Sequence, residues 1–286
     1  MQAQVEAFFH EASNTISYLV WDPQSAQAAV IDSALDFDAN SGRTSTTSAE
    51  VIAKRLKDLK LSCQWILETH VHADHISAAP YLKDQLGGIT AVGDHTPEIQ
   101  RTFKAIYNAE PSFKADGRQF DRLFSDEEEF LLGNITCRVT HTPGHTPACV
   151  TYLIGDIAFV GDTLFMPDFG TARADFPGGD AGQLYDSIQK ILKLPDDTRL
   201  FTCHDYAPNG RKIAWETTVK EQRQKNLHAN DGISREEFIK MRTERDKQLD
   251  MPALLIPSIQ VNMRAGAFPP AEDDGERYLK IPIDKL

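Results

Sequence analysis

Short apolar runs recur along the chain and read as strands: residues 28–31, 65–67, 89–92, 135–139, 149–154, 157–160 and 200–203. Helical patterns lie between them. Ile52, Leu56 and Leu59 share one face, and Thr47 followed by Glu50 predicts a capping box at that helix's start. Leu184, Ile188, Ile191 and Leu192 repeat the spacing until Pro195 stops it, and Ser234 with Glu237 opens a charged helix running toward Leu249. Residues 36–48 are polar around Asn40-Ser-Gly42 and read as an exposed loop. Interspersed strands and helices place the fold in the α/β or α+β class. The character changes after His204. Residues 1–210 read as one core, and 211–286, charged and helical and then irregular, as an extension packed on it rather than an independent domain.

The 286 residues suffice for a sizeable core, and no apolar run is long enough to span a bilayer. The N-terminus lacks the features of a secretion or transit signal, so a cytoplasmic location is expected. A net charge of −12 disfavours nucleic acid and anionic membrane as partners, and requires a local basic patch for any anionic substrate. Cys63, Cys137, Cys149 and Cys203 lack the spacing of a zinc ribbon or redox pair and read as buried thiols. Strand alternation predicts that Cys203 points away from its neighbour His204. Neither a dinucleotide fingerprint nor a phosphate-binding loop is present.

Four strand ends carry metal-type residues. The run to Thr69 delivers His70-Val-His72-Ala-Asp74-His75; the next leads into His141-Thr-Pro-Gly-His145; a third delivers Gly161-Asp162-Thr163; a fourth, His204-Asp-Tyr206. Imidazole and carboxylate together suit zinc, iron or manganese. His10, His95 and His228 lack such a context and read as ordinary histidines, as does His141, because the Pro143-Gly144 turn separates it from His145.

Thr69-His-Val-His-Ala-Asp-His75, Thr142-Pro-Gly-His-Thr146, Gly161-Asp-Thr-Leu164 and His204-Asp-Tyr206 together resemble the ordered signature of the metallo-β-lactamase superfamily. The resemblance implies an α+β fold, an αββα sandwich with the metal at one edge, and within it two branches. One is the glyoxalase II hydrolases of glutathione thioesters; the other is the persulfide dioxygenases. A hydrolase would use all seven positions, with His70, His72 and His145 on one metal, Asp74, His75 and His204 on another, and Asp162 bridging. A dioxygenase would hold one iron(II) on His70, His145 and Asp162, with His72, Asp74, His75 and His204 supporting by hydrogen bonds.

Residues 170–179 and the tail from Ile256 to Gly266 resemble the dioxygenases. That reading expects a homo-oligomer, taken as a dimer, oxidising glutathione persulfide with O2 to sulfite. Arg173, Tyr206 and Arg264 are then the substrate-binding residues, although an internal ion pair of Arg173 with Asp175 is an equal expectation. A non-catalytic scaffold would require decayed ligands, and these are intact.

Overall fold

The computed structural model describes residues 2–286. Two six-stranded sheets face each other. The first contains β1 (Gln4–His10), β2 (Thr15–Trp21) and β3 (Gln27–Ile31). Two short strands, β4 (Ala34–Asp38) and β5 (Arg43–Ser45), follow and pair with each other, and α1 (Thr47–Asp58) comes next. The first sheet resumes with β6 (Ser62–Leu67); β7 (Ile76–Ser77) pairs with β4, and α2 (Ala79–Leu86) leads to β8 (Ile89–Gly93). After α3 (Thr96–Ile106), β9 (Arg122–Phe124) completes the order β1-β2-β3-β6-β8-β9.

The second sheet runs in sequence order through β10 (Glu129–Leu132), β11 (Ile135–His141), β12 (Val150–Ile154), β13 (Ile157–Phe159), β14 (Arg199–Phe201) and β15 (Glu216–Thr218). Its pairings are antiparallel except β13 with β14, which are parallel because α4 (Ala181–Leu192) crosses over between them. The chain ends with α5 (Val219–Lys225), α6 (Arg235–Asp246) and α7 (Leu255–Asn262).

Aromatic residues fill the space between the sheets: Tyr18 and Trp65 from one side, Phe130, Tyr152, Phe159 and Phe201 from the other. The outer face of the first sheet is covered by α1 and α2 through Ile52, Leu56 and Leu82. The outer face of the second is covered by α4 and α6 through Leu184, Ile188, Ile191 and Phe238. The layers are therefore helix–sheet–sheet–helix, as the resemblance implies. Among the described residues no helix is long and apolar enough to cross a membrane.

All seven apolar runs fall on strands, the last only as far as Phe201. The Ser234–Glu237 capping box forms, with the Glu237 side chain accepting from the Ser234 N–H at 2.9 Å. Three local expectations are corrected. Thr47 is the first helical residue rather than the cap; Thr46 precedes it and donates to the Glu50 carboxylate instead. Residues 36–48 are largely a hairpin, because Asp36 and Phe37 pair with Ser45 and Thr44. The tail is not irregular throughout: residues 255–262 form α7, which buries Leu255, Ile259 and Val261.

Candidate metal centre

The four predicted loops meet at one edge of the sandwich. His70, His72 and His75 are buried in the segment after β6, His145 in the turn after β11, Asp162 after β13, and His204 after β14. Gly161, at φ 50°, lets that last-but-one turn pass Thr69; a Cβ there would lie 2.7 Å from the Thr69 hydroxyl.

Each imidazole has one nitrogen engaged by the protein, which sets its tautomer. His70 Nδ1 donates to the Thr69 hydroxyl at 3.0 Å, which donates onward to Asp32 at 2.9 Å. His145 Nδ1 donates to the Arg173 carbonyl at 2.8 Å. His72 Nε2 donates to Asp32 at 2.9 Å and lies 3.2 Å from Glu68. His204 Nδ1 faces the Asn14 carbonyl at 3.3 Å, and His75 Nδ1 the Thr15 hydroxyl at 3.3 Å.

The opposite nitrogens of His70, His72, His75 and His204 are buried without a hydrogen-bond partner, as are Asp74 Oδ2 and Asp162 Oδ1. Buried polar atoms carry a cost of about 1–3 kcal/mol each when unpaired. These six face one another, His204 Nε2 lying 3.0 Å from Asp74 Oδ2, and such a set of donors fits a cation. The donors are nitrogen and carboxylate oxygen, the set for zinc, iron or manganese. They fall into two groups: His70, His145 and Asp162 in one, and His72, Asp74, His75 and His204 in the other, the donor atoms of each within 4.8 Å of one another. Asp162 faces both, with Oδ2 3.5 Å from His145 and Oδ1 3.3 Å from His204.

The electrostatics of the site are uneven: at His72 burial is outweighed by Asp32 and Glu68, which raise the imidazole well above its ordinary range. Burial pushes the His70 imidazole well down and His75 down to about 4, so both are neutral ligand-type rings. Burial also pushes the Asp162 carboxyl up, a shift that a bound cation reverses. At Asp74 burial is outweighed by the His204 and His75 rings, which hold the carboxyl well below its usual range.

A cavity of about 270 Å³ opens over Asp74, His145 and Asp162. Phe165, Phe169 and Phe176 form apolar walls, and residues of α6 and the segment after it, Arg242 to Pro252, form the roof. Tyr206 lines the mouth, half-exposed and stacked on Phe169 at 4.6 Å. Arg173 also lines it, but its guanidinium is held by Asp175 at 2.6 and 2.8 Å, by the Asp250 carbonyl at 2.6 Å, and against the Phe176 ring. The internal ion pair is thus the arrangement found.

Two expectations are corrected. Arg264 is not at the metal cavity; it is buried elsewhere, donating to Glu110 at 2.7 Å and to the Gln260 carbonyl and lying over Phe113. Cys203 does not point away: its sulfur groups with Asp162 and His204. Strand alternation stops at Phe201, because residues 203–205 leave the second sheet and bond to the start of β2, through Cys203 O to Ile16 N–H and Asn14 O to Asp205 N–H.

Asp32 and Glu68 escaped the sequence reading, although Asp32 obeys the same rule of a carboxylate just past a strand. Asn262 lies in the tail segment, at the end of α7. Its side chain amide donates to the carbonyls of His72 (2.8 Å) and His75 (2.7 Å) and its oxygen accepts from Ser77 N–H (2.8 Å), so α7 pins the metal loop. His141 is outside the cluster, bonded to the Pro147 carbonyl and stacked on His95.

Fold and site together define a metal-dependent enzyme. Residues 12–204 match the model of the metallo-β-lactamase superfamily, and the chain belongs to that superfamily. It is 53% identical, over 99% of each chain, to a protein of Burkholderia pseudomallei (strain 1710b) named probable metallo-hydrolase. It is 50% identical to Glyoxylase B2 of Dictyostelium discoideum, over 100% of this chain and 98% of that one. The mitochondrial persulfide dioxygenase ETHE1 of Homo sapiens is 32% identical, over 92% of this chain and 88% of its own. Among solved structures, ETHE1 from Myxococcus xanthus superposes with a TM-score of 0.73 at 28% identity, covering 92% and 99%.

Proposed function

We propose that the protein is a persulfide dioxygenase that converts glutathione persulfide, O2 and water to glutathione and sulfite. The observation behind this reading is that His70, His145 and Asp162, two imidazoles and one carboxylate, converge as one donor group, with His145 and Asp162 facing the cavity. His70, His145 and Asp162 would hold an iron(II), which would supply the redox chemistry between a soft sulfur anion and dioxygen. The outer sulfur gives up four electrons and one O2 accepts them; water supplies the third oxygen of sulfite, and two protons are released beside the thiol.

The chain's own residues do the rest. Arg173 O and Thr69 fix the two triad imidazoles with their outward nitrogens proton-free. His72 Nε2 is held by Asp32 and Glu68, while its ring lies against His70, 4.1 Å between centroids, with Nδ1 turned to the second donor group. Phe165, Phe169 and Phe176 give the apolar part of the ligand a matching wall beside the centre.

A second reading is a two-metal thioester hydrolase of the glyoxalase II type. It is favoured by the complete second donor group, by Asp162 reaching both groups, and by the hydrolase and glyoxylase names of the relatives near 50% identity. The relatives' names and the second donor group weigh toward hydrolysis; the two-histidine, one-aspartate group and the likeness to persulfide dioxygenases weigh toward oxidation. Oxygen uptake by anaerobically iron-loaded protein given glutathione persulfide, with metal analysis and an S-lactoylglutathione hydrolysis assay alongside, separates the two. One iron per chain and one O2 per sulfite are expected. Two metals per chain with thioester hydrolysis and no oxygen uptake overturn the dioxygenase.

A further inference from the structure

The cavity above the metal centre is lined by three guanidinium groups, and two are already neutralised. Arg173 is paired with Asp175. Arg242 is buried and paired with Asp246 at 2.6 Å, with a further bond to the Thr171 carbonyl. The third is Arg245, in the last turn of α6, exposed on the cavity side. Among the described residues its guanidinium has no hydrogen-bond, ion-pair or aromatic partner.

The sequence explains why. On its helical face Met241 lies one turn back and Leu249 one turn on, so no carboxylate sits at pairing distance. Asp250, also on the lining, gives its carbonyl to Arg173 and makes no ion pair with Arg245. The remaining lining acids, Asp74 and Asp162, belong to the metal centre. The cavity thus has a cation-binding floor, apolar walls and one uncompensated positive group at the roof, in a chain of net charge −12.

We propose that Arg245 is the specificity-determining residue for the thiol carrier: its guanidinium takes a carboxylate of the carrier at the mouth while the carrier's sulfur lies at the histidine–aspartate floor. The inference rests on the reading of the site as one for a glutathione-type sulfur compound, and it holds for either reaction. A planar fork with no internal partner binds a carboxylate through two parallel bonds, at less desolvation cost than a guanidinium that must first leave an ion pair. The rival role is complementing the negative end of the α6 dipole, which requires only the charge and contributes stability, not affinity.

The test is calorimetric binding of glutathione to metal-loaded protein, wild type against Arg245→Ala, Arg245→Lys and Arg245→Glu, with melting temperatures recorded. Turnover of glutathione persulfide and of the uncharged carrier 2-hydroxyethyl persulfide is measured on the same samples. Affinity for glutathione is expected to fall about three- to tenfold in Arg245→Ala, less in Arg245→Lys and more in Arg245→Glu. The ratio of kcat/KM for the anionic over the uncharged carrier falls in parallel, and that dependence fades with salt. Unchanged affinity and ratio in the Ala and Glu variants, or a wild type that does not bind glutathione, overturn the proposal; a shift in melting temperature alone assigns Arg245 to the helix. Glutathione binding that responds to Arg245 without oxygen uptake removes the dioxygenase reading and leaves this inference standing.

Discussion

At the scale of single residues, one carboxylate organises the centre. Asp32 is buried and accepts from the Thr69 N–H at 2.7 Å, the Thr69 hydroxyl and His72 Nε2. It sits at φ 51°, a left-handed conformation that a short polar side chain tolerates and that is held here by those three bonds. Through Thr69 it sets the tautomer of His70, and directly that of His72. The triad and its support make different demands. On the proposed one-iron reading, His145→Ala removes one of three ligands and is expected to abolish iron retention. His72→Ala is expected to keep iron bound and lower turnover about 10–100-fold, because only a supporting contact is lost. Metal content after gel filtration is the measurement; equal loss of iron in both variants makes His72 a ligand and favours the two-metal site.

At the scale of elements, α7 belongs to the metal centre although it supplies no ligand. Asn262 bonds three backbone groups of the segment that carries His72 and His75, at positions where water does not reach. Asn262→Ala leaves those groups unpaired. The expected cost is about 2–4 kcal/mol of stability in urea unfolding, with weaker metal retention at the same time. An Asn262→Ala protein that unfolds like the wild type and holds metal equally well removes α7 from the support of the site. In the same way α6, through Phe238 on the second sheet's helical layer and Arg242 on Thr171, fixes the roof of the cavity. We propose that residues 211–286 do not fold apart from the core, since their apolar faces are the ones spent on α4 and on the metal loop.

For the whole molecule, protonation is a lever on stability. His228 packs under Gly170, whose Cβ would lie 2.1 Å from the ring, and its Nδ1 accepts from the Thr171 N–H at 3.1 Å. The fold therefore uses the neutral ring. Burial, and then Arg242 and Arg245 nearby, push its pKa from 6.5 down to about 4. As the pH falls, the unfolded chain takes up this proton first. The contribution is thus fully present above about pH 6.5 and is lost between there and about pH 4. His228→Gln keeps an acceptor and removes the titration. Urea unfolding of the metal-free proteins from pH 7 to 4 is expected to show a shallower decline in the variant, by about 2 kcal/mol after allowance for the ring's partial exposure. Parallel declines assign the acid sensitivity to other groups.

The order of strands and the residues at their ends were legible in the chain, because both are local. An apolar run bounded by polar turns has few ways to be satisfied, and histidines and aspartates directly after such runs must lie at a sheet edge. Hence all seven apolar runs became strands, and His70, His72, Asp74, His75, His145, Asp162 and His204 converge. What depends on which distant segment crosses a strand end was not legible. Cys203 turned toward the cluster because residues 203–205 bond to β2, some 190 residues earlier in the chain. Arg264 left the cavity because Glu110 and Phe113 receive it. Arg245, unremarkable in the sequence, became the cavity's unpaired cation because α6 packs over the centre with Met241 and Leu249, rather than acids, beside it. A partner within one helical turn or strand step, as Asp246 for Arg242, is written in the spacing; a partner from a distant segment is decided by tertiary neighbours.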